Sequence, residues 1–172
     1  MEIIVQPLSK QQASARWAEL CQEPTLAELE GRFEMDEYGE IRMTPPPSLR
    51  HQLVADAIAA QIRTPLRGKA IVECPVYAGK VYVAAIAWIP PEALTSDVGA
   101  AVVAPPLVIE VRSPGNPSAG LAAKAQAYLA HGVQEVALVQ LDGTIQHITA
   151  QGGEAESSFD LTLVVPDELK ER

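Results

Sequence analysis

The sequence predicts an α/β fold, a mixed β-sheet flanked by helices. Three observations carry that prediction: helical periodicity at the front of the chain, Val- and Ile-rich runs of strand length through the middle, and one crossover helix between two buried strands. At 172 residues the chain suits a single domain over 1–172, with an N-terminal helical segment over 1–30 and a core over 31–166. A 48% hydrophobic share excludes a disordered chain, and 14 Pro with 11 Gly lies below a low-complexity level.

The elements follow in order. Lys10 to Glu30 reads as helical, since Ala13, Trp17, Leu20, Leu26 and Leu29 recur at roughly helical spacing. It breaks near Pro24-Thr25, where Thr25 is expected to cap a second helix with Glu28 as its capping-box partner. Arg32–Met35 and Glu40–Met43 alternate on either side of a Gly-containing turn, the pattern of a β-hairpin. Pro45-Pro46-Pro47 stops it, and Ser48 caps a helix from Leu49 to about Arg63 with Leu53, Ala57, Ala60, Val54, Ile58 and Ile62 as its apolar face. Ala70–Val76 and Val81–Ile89 are strands joined by the turn Tyr77–Lys80, and Pro90–Leu94 is a loop with one helical turn. Leu107–Val111 is a buried strand. Asn116-Pro117-Ser118 opens a helix that runs to about His131 and closes at Gly132. Glu135–Gln140, Thr144–Ile148 and a final strand Phe159–Val165 complete the series.

The charge balance is 13 Lys+Arg against 22 Asp+Glu, a net charge of −9. That argues against generalised electrostatic binding to nucleic acid or anionic membrane, and leaves room only for a local basic groove. Cys21 and Cys74 stand alone, without the clustered soft ligands of a structural zinc site. The N-terminus lacks a basic start followed by a long apolar run, and no window approaches the ~18 consecutive apolar residues of a membrane span. The expectation is a soluble, cytoplasmic protein with no membrane partner. High hydrophobic content with strands near both ends makes a homodimer a reasonable state.

Glu110 is the most informative residue. It interrupts the apolar run Leu107–Val111 just before the strand ends. A carboxylate there is expensive to bury unless paired or metal-bound, and sites in α/β sheets collect at such strand ends. The plainer reading is a strand-edge acid facing solvent, or a structural ion pair. Lys124 lies on the crossover helix among alanines, with Tyr128 one turn on. Either it crosses back to the strand carboxylate, to polarise a phosphate or orient a water, or it snorkels on the surface. His131 reads as a helix-end cap and His147 as a surface or packing residue. Arg63, Arg67 and Lys69, with Arg50 before the helix, read as a solvated helix end.

In their order these pieces resemble the Uma-type putative restriction endonuclease family, a branch of the PD-(D/E)xK nuclease superfamily. The resemblance begins at Phe33-Glu34-Met35 with Gly39-Glu40-Ile41, and takes in His51 at the start of the first core helix and the β-run Val83 to Trp88. It continues through Ile109-Glu110-Val111-x-Ser113-Pro114 and Lys124-x-x-x-Tyr128, and ends in Gly132-Val133-x-Glu135. It implies a restriction-endonuclease-like core over 31–166 and metal-dependent hydrolysis of DNA with Mg²⁺ or Mn²⁺. By position, Glu110 is the metal-binding Glu, Lys124 the catalytic lysine, Glu34 a family acid near the site, and His51 a family histidine.

The family's metal-binding Asp falls on Ala85, and the Pro before it on Ala84. A lone carboxylate holds Mg²⁺ weakly, so the resemblance implies an endonuclease that is weak or inactive. The alternative is a non-catalytic protein-interaction or self-assembly module on the same fold. Further departures at Ala137 and Gln140 favour natural divergence over a single disabling substitution. A second route to a metal site uses Asp97 with Glu110, and Arg112 in the place of the usual lysine. Against it, Ser96-Asp97-Val98-Gly99 reads as a loop, and arginine is a fixed cation rather than a titrating group.

Overall fold

The computed structural model describes residues 6–28, 31–94, 99–113, 118–154 and 156–171. Four α-helices lie among them: α1 Lys10–Leu20, α2 Pro24–Ala27, α3 Leu49–Arg63 and α4 Ser118–Ala130. The strands are β1 Arg32–Met35, β2 Ile41–Thr44, β3 Lys69–Tyr77, β4 Val81–Ile89, β5 Val102–Val103, β6 Leu107–Val111, β7 Glu135–Val139, β8 Ile145–Thr149 and β9 Gly152–Glu154. They form one sheet in the order β2-β1-β4-β6-β7-β8-β9, with β3 also on β4 and β5 on β3. β6 and β7 run parallel, as the α4 crossover between them requires, while β3–β4 and β4–β6 run antiparallel. The sheet is therefore mixed, as expected. No helix among the described residues is long and apolar enough to cross a membrane.

α3 covers one core, with Val54, Ala55, Ile58, Ala59 and Ile62 against Ile86, Ile109, Ala137 and Val139. α4 covers the opposite side, with Leu121, Ala125 and Tyr128 against Cys74, Ala84, Val108 and Leu138. The alternation of β6 explains the split, since Ile109 and Val108 point to opposite faces. In the β3–β4 hairpin that alternation slips. Val72 and Ile86, a register pair, face the α3 core, whereas Cys74 and Ala84, the pair two residues along, face the α4 core. Between them Glu73 stands opposite Ala85 and adopts a left-handed backbone, φ 53°. A residue in that conformation shifts the facing of everything beyond it.

Three expectations need correction. Thr25 does not cap α2; Pro24 takes the first helical position after Glu23, where its missing N–H costs nothing. The buried face of α3 is His51, Val54, Ala55, Ile58, Ala59 and Ile62, so Leu53 and Ala60 point outward. Phe159–Val165 is not a strand. Leu161 and Val165 are buried in the α3 core, but the backbone is held by a side chain: Val164 N–H donates to Gln61 Oε1 at 2.8 Å and Gln61 Nε2 donates to Val164 O at 2.8 Å. β5 and β9, two and three residues long, are additional. The Ser48 cap holds, its hydroxyl accepting from His51 N–H at 3.2 Å.

β4 is where the sheet forks. β3 pairs with one edge of it along nearly its whole length. The other edge is shared: β6 takes Ile86–Trp88, and β1 meets it only through Met35 opposite Val81. In the gap between them the backbone of Val83 has no strand partner on that side.

Candidate functional site

The fork is filled by side chains from three elements. Glu34, third in β1, accepts from Val83 N–H through Oε1 at 3.1 Å. Lys124, near the middle of α4, donates to Val83 O at 3.1 Å and to Glu34 Oε1 at 3.0 Å. The same ammonium lies 3.1 Å from Glu110 Oε1. Glu110, 4% exposed, also accepts from the buried Tyr128 hydroxyl at 2.8 Å. The helical spacing of Lys124 and Tyr128 delivers both to one carboxylate. Lys124 therefore crosses back to the strand and does not snorkel, and Glu110 is a buried, paired acid.

Opposing influences act on the ammonium. Burial pushes its pKa down, but the charges of Glu110 and Glu34 together outweigh burial, and the net shift is upward. Tyr128 is driven well above its ordinary value, by burial first and then by Glu110, so it stays a hydroxyl donor. Tyr82, on the α4 side of β4, lies between two cations. Lys124 Nζ stands 5.3 Å and Lys80 Nζ 4.9 Å from its ring centroid, and Tyr128 meets it edge-on at 5.5 Å. Lys80 and Tyr82 were not among the expected site residues, although their i, i+2 spacing at the start of a strand puts them on one face.

A cleft of about 640 Å³ opens over this cluster, between Pro45–Pro47 and the first turns of α3 and α4. His51 lines it, 6% exposed, with Nδ1 buried and unpartnered among the described residues. Burial holds His51 below the ordinary imidazole value; Glu73 pulls it up and Arg32 down. Those two residues form a bidentate pair, Arg32 Nη1 to both Glu73 oxygens at 3.0 Å. Glu34, Glu110, Lys124 and His51 thus line one cleft.

The remaining candidates lie elsewhere. Asp97 lies outside the described residues. Arg112 turns to Gln140, its Nη1 3.4 Å from Oε1. Arg50 pairs with Glu171 at 2.9 Å, and Arg63 donates to Ala70 O at 3.2 Å, so these cations hold the fold. His131 Nδ1 bonds Ala127 O at 2.8 Å, a helix-end contact. His147 is buried and bonds Glu135 Oε1 at 2.8 Å, in a cluster with Ser157 and Ser158 that pins the chain after β9.

Ala85 is 1% exposed. Extending the β4–β6 register by one step places it across from Glu110. Its methyl belongs to the α3 core, while that of Ala84 shares the α4 core with Tyr128, so neither position supplies an acid to the fork. Two carboxylates converge there, already bridged by an ammonium, and among the described residues no three His, Cys, Asp or Glu side chains are grouped to hold a metal ion. This donor set does not fit a resident Mg²⁺ or Mn²⁺.

A mixed sheet with helices on both faces and a carboxylate–lysine cluster at its fork defines a nuclease-like α/β protein. The chain belongs to the Uma2 family, described as putative restriction endonuclease, whose family profile matches residues 17–169. Among solved structures, a putative nuclease belonging to DUF820 from Anabaena variabilis is similar, with a TM-score of 0.66 and 19% identity, covering 95% of this chain and 98% of that one. At that identity the likeness is one of fold. A comparison with curated proteins finds no match.

Proposed function

We propose that this chain is a diverged DNA endonuclease of its family whose phosphodiester-cleaving centre is weak or silent. The observation that carries the reading is the alanine pair on β4. With Ala84 and Ala85 where the resemblance expects Pro-Asp, Glu110 has no acidic neighbour on the adjoining strand. Glu34 adds a second carboxylate, but both face the Lys124 ammonium. The substrate class is DNA, and Mg²⁺ or Mn²⁺ is the cofactor class that family membership suggests.

The test is plasmid nicking with Mg²⁺ and Mn²⁺ by the unaltered chain, Ala85→Asp, Ala84→Asp and Glu110→Ala. Both alanines are varied because Ala85 lies across from Glu110 in the extended register, while the methyl of Ala84 faces the α4 side on which Tyr128 stands. The expected result is background cleavage by the unaltered chain, and cleavage by one of the Asp variants that is lost again when Glu110→Ala is added. Robust cleavage by the unaltered chain, abolished by Glu110→Ala, would defeat the proposal. A non-catalytic self-assembly role is the second reading, favoured by Leu49 and Leu53, 75% and 46% exposed on one side of α3.

A further inference from the structure

We infer that the Lys124 ammonium occupies the place of a divalent cation between Glu34 and Glu110, so that the fork, with alanine at both 84 and 85, carries its own counter-ion and is closed to metal while that lysine is present. The inference rests on the silent-centre reading only in treating the fork as a former metal site; local geometry carries the rest.

An ammonium has three N–H donors. Here three oxygens surround it: it donates to Glu34 Oε1 at 3.0 Å and to Val83 O at 3.1 Å, and it is ion-paired with Glu110 Oε1 at 3.1 Å. Two of its donors are committed to hydrogen bonds and its charge faces two carboxylates, so in this arrangement the ammonium serves the fork as a counter-ion. The same three oxygens are hard ligands of the kind Ca²⁺ and Mn²⁺ accept, two carboxylate and one carbonyl. They converge on one point. A cation at that point would need them to close in by roughly 0.4–1.1 Å, since metal–oxygen distances run about 2.0–2.6 Å.

Charge decides between the occupants. Two carboxylates and one ammonium leave a single negative charge. A divalent ion added beside Lys124 would lie within a few ångströms of a like charge in a partly buried cleft, where repulsion is poorly screened. With the lysine made neutral, the two carboxylates balance a divalent ion completely. The backbone supports the same conclusion, because Val83 O lacks a strand partner on that edge and is available to whichever cation fills the gap.

The test is Lys124→Met, which keeps an unbranched side chain and removes the charge. Melting is followed in EDTA, Ca²⁺ and Mn²⁺, beside the unaltered chain and the double variant with Glu110→Gln. Lys124→Met is expected to melt lower than the unaltered chain in EDTA and to rise by roughly 5 °C or more with either ion at saturating concentration. The unaltered chain should move by less than about 1 °C, and Glu110→Gln should abolish the response. Equal shifts in both proteins, or a flat response in Lys124→Met, would overturn the inference. Should Lys124→Met not fold, Mn²⁺ binding to the unaltered chain, read by electron paramagnetic resonance, decides the matter. Saturable binding at the fork, lost in Glu110→Gln, overturns the inference, and no such binding supports it. The two proposals fail separately. Cleavage of plasmid by the unaltered chain defeats the silent centre, whereas a flat Lys124→Met response defeats the cation exchange and leaves the silent centre standing.

Discussion

Replacing Tyr128 by Phe isolates the bond that holds Glu110 in place. The hydroxyl donates to Glu110 Oε1 at 2.8 Å, and both residues are buried. A hydrogen bond to a charged acceptor contributes about 1.5–3 kcal/mol net. The phenylalanine ring keeps its edge-on contact with Tyr82, so little packing is lost. Glu110 keeps Lys124, so the larger cost of a buried charge left alone does not arise. The expected loss is therefore about 2 kcal/mol, or a fall in Tm of roughly 4–8 °C for a chain of this size. Urea unfolding with an unchanged slope measures it. Repeating the substitution in a Glu110→Gln background should recover about 1 kcal/mol of that loss, because the acceptor is then neutral. A loss below about 0.5 kcal/mol, or the same loss in both backgrounds, would refute the claim that this bond anchors a charged Glu110.

Two further outcomes concern the fold. Burial pushes the Glu135 carboxyl up, but bonds from His147, Ser157 and Ser158 together hold it below its ordinary value. Its stabilising effect is thus present above the unfolded-state pKa and is lost as pH falls through the folded one, so Glu135→Gln should flatten the acid limb of a Tm-against-pH profile; an unchanged acid limb would count against it. Ile58→Ala on the buried side of α3 should cost about 2–4 kcal/mol in chemical denaturation, and Leu53→Ala less than about 0.5 kcal/mol; the opposite order would mean the helix is rotated.

What the sequence reveals about this fold depends on how local the signal is. Ser48 sets the start of α3, and the apolar runs of β4 and β6 match their strands residue for residue, because cap chemistry and strand-length apolar runs act over a few residues. Phe159–Val165 misleads because alternate burial does not require a ladder partner, and here Gln61 from α3 supplies the backbone bonds. The site divides along the same line. Glu110 is conspicuous as an acid in an apolar strand, and Lys124 with Tyr128 shows helical spacing toward it. Glu34 lies 90 residues from Lys124 and carries no local signal, so it emerged only through the family resemblance. Tyr82 carries no such mark, because a tyrosine at the start of a strand reads as ordinary packing.

The slip of facing at Glu73 has a consequence for how the molecule comes apart. On the inner side of it Ala70, Val72 and Ile86 face the α3 core while Ile71 and Ala87 face the α4 core; on the outer side Cys74, Val76 and Ala84 face the α4 core, and Val81 and Val83 join a third core around Trp17 and Leu20 of α1. None of these helices can peel away without baring a stretch of a hairpin that the others still need. The left-handed residue, costly to hold in isolation, marks where one face of the hairpin passes from the α3 core to the α1 core, so that a single pair of strands ties three cores into one cooperative unit.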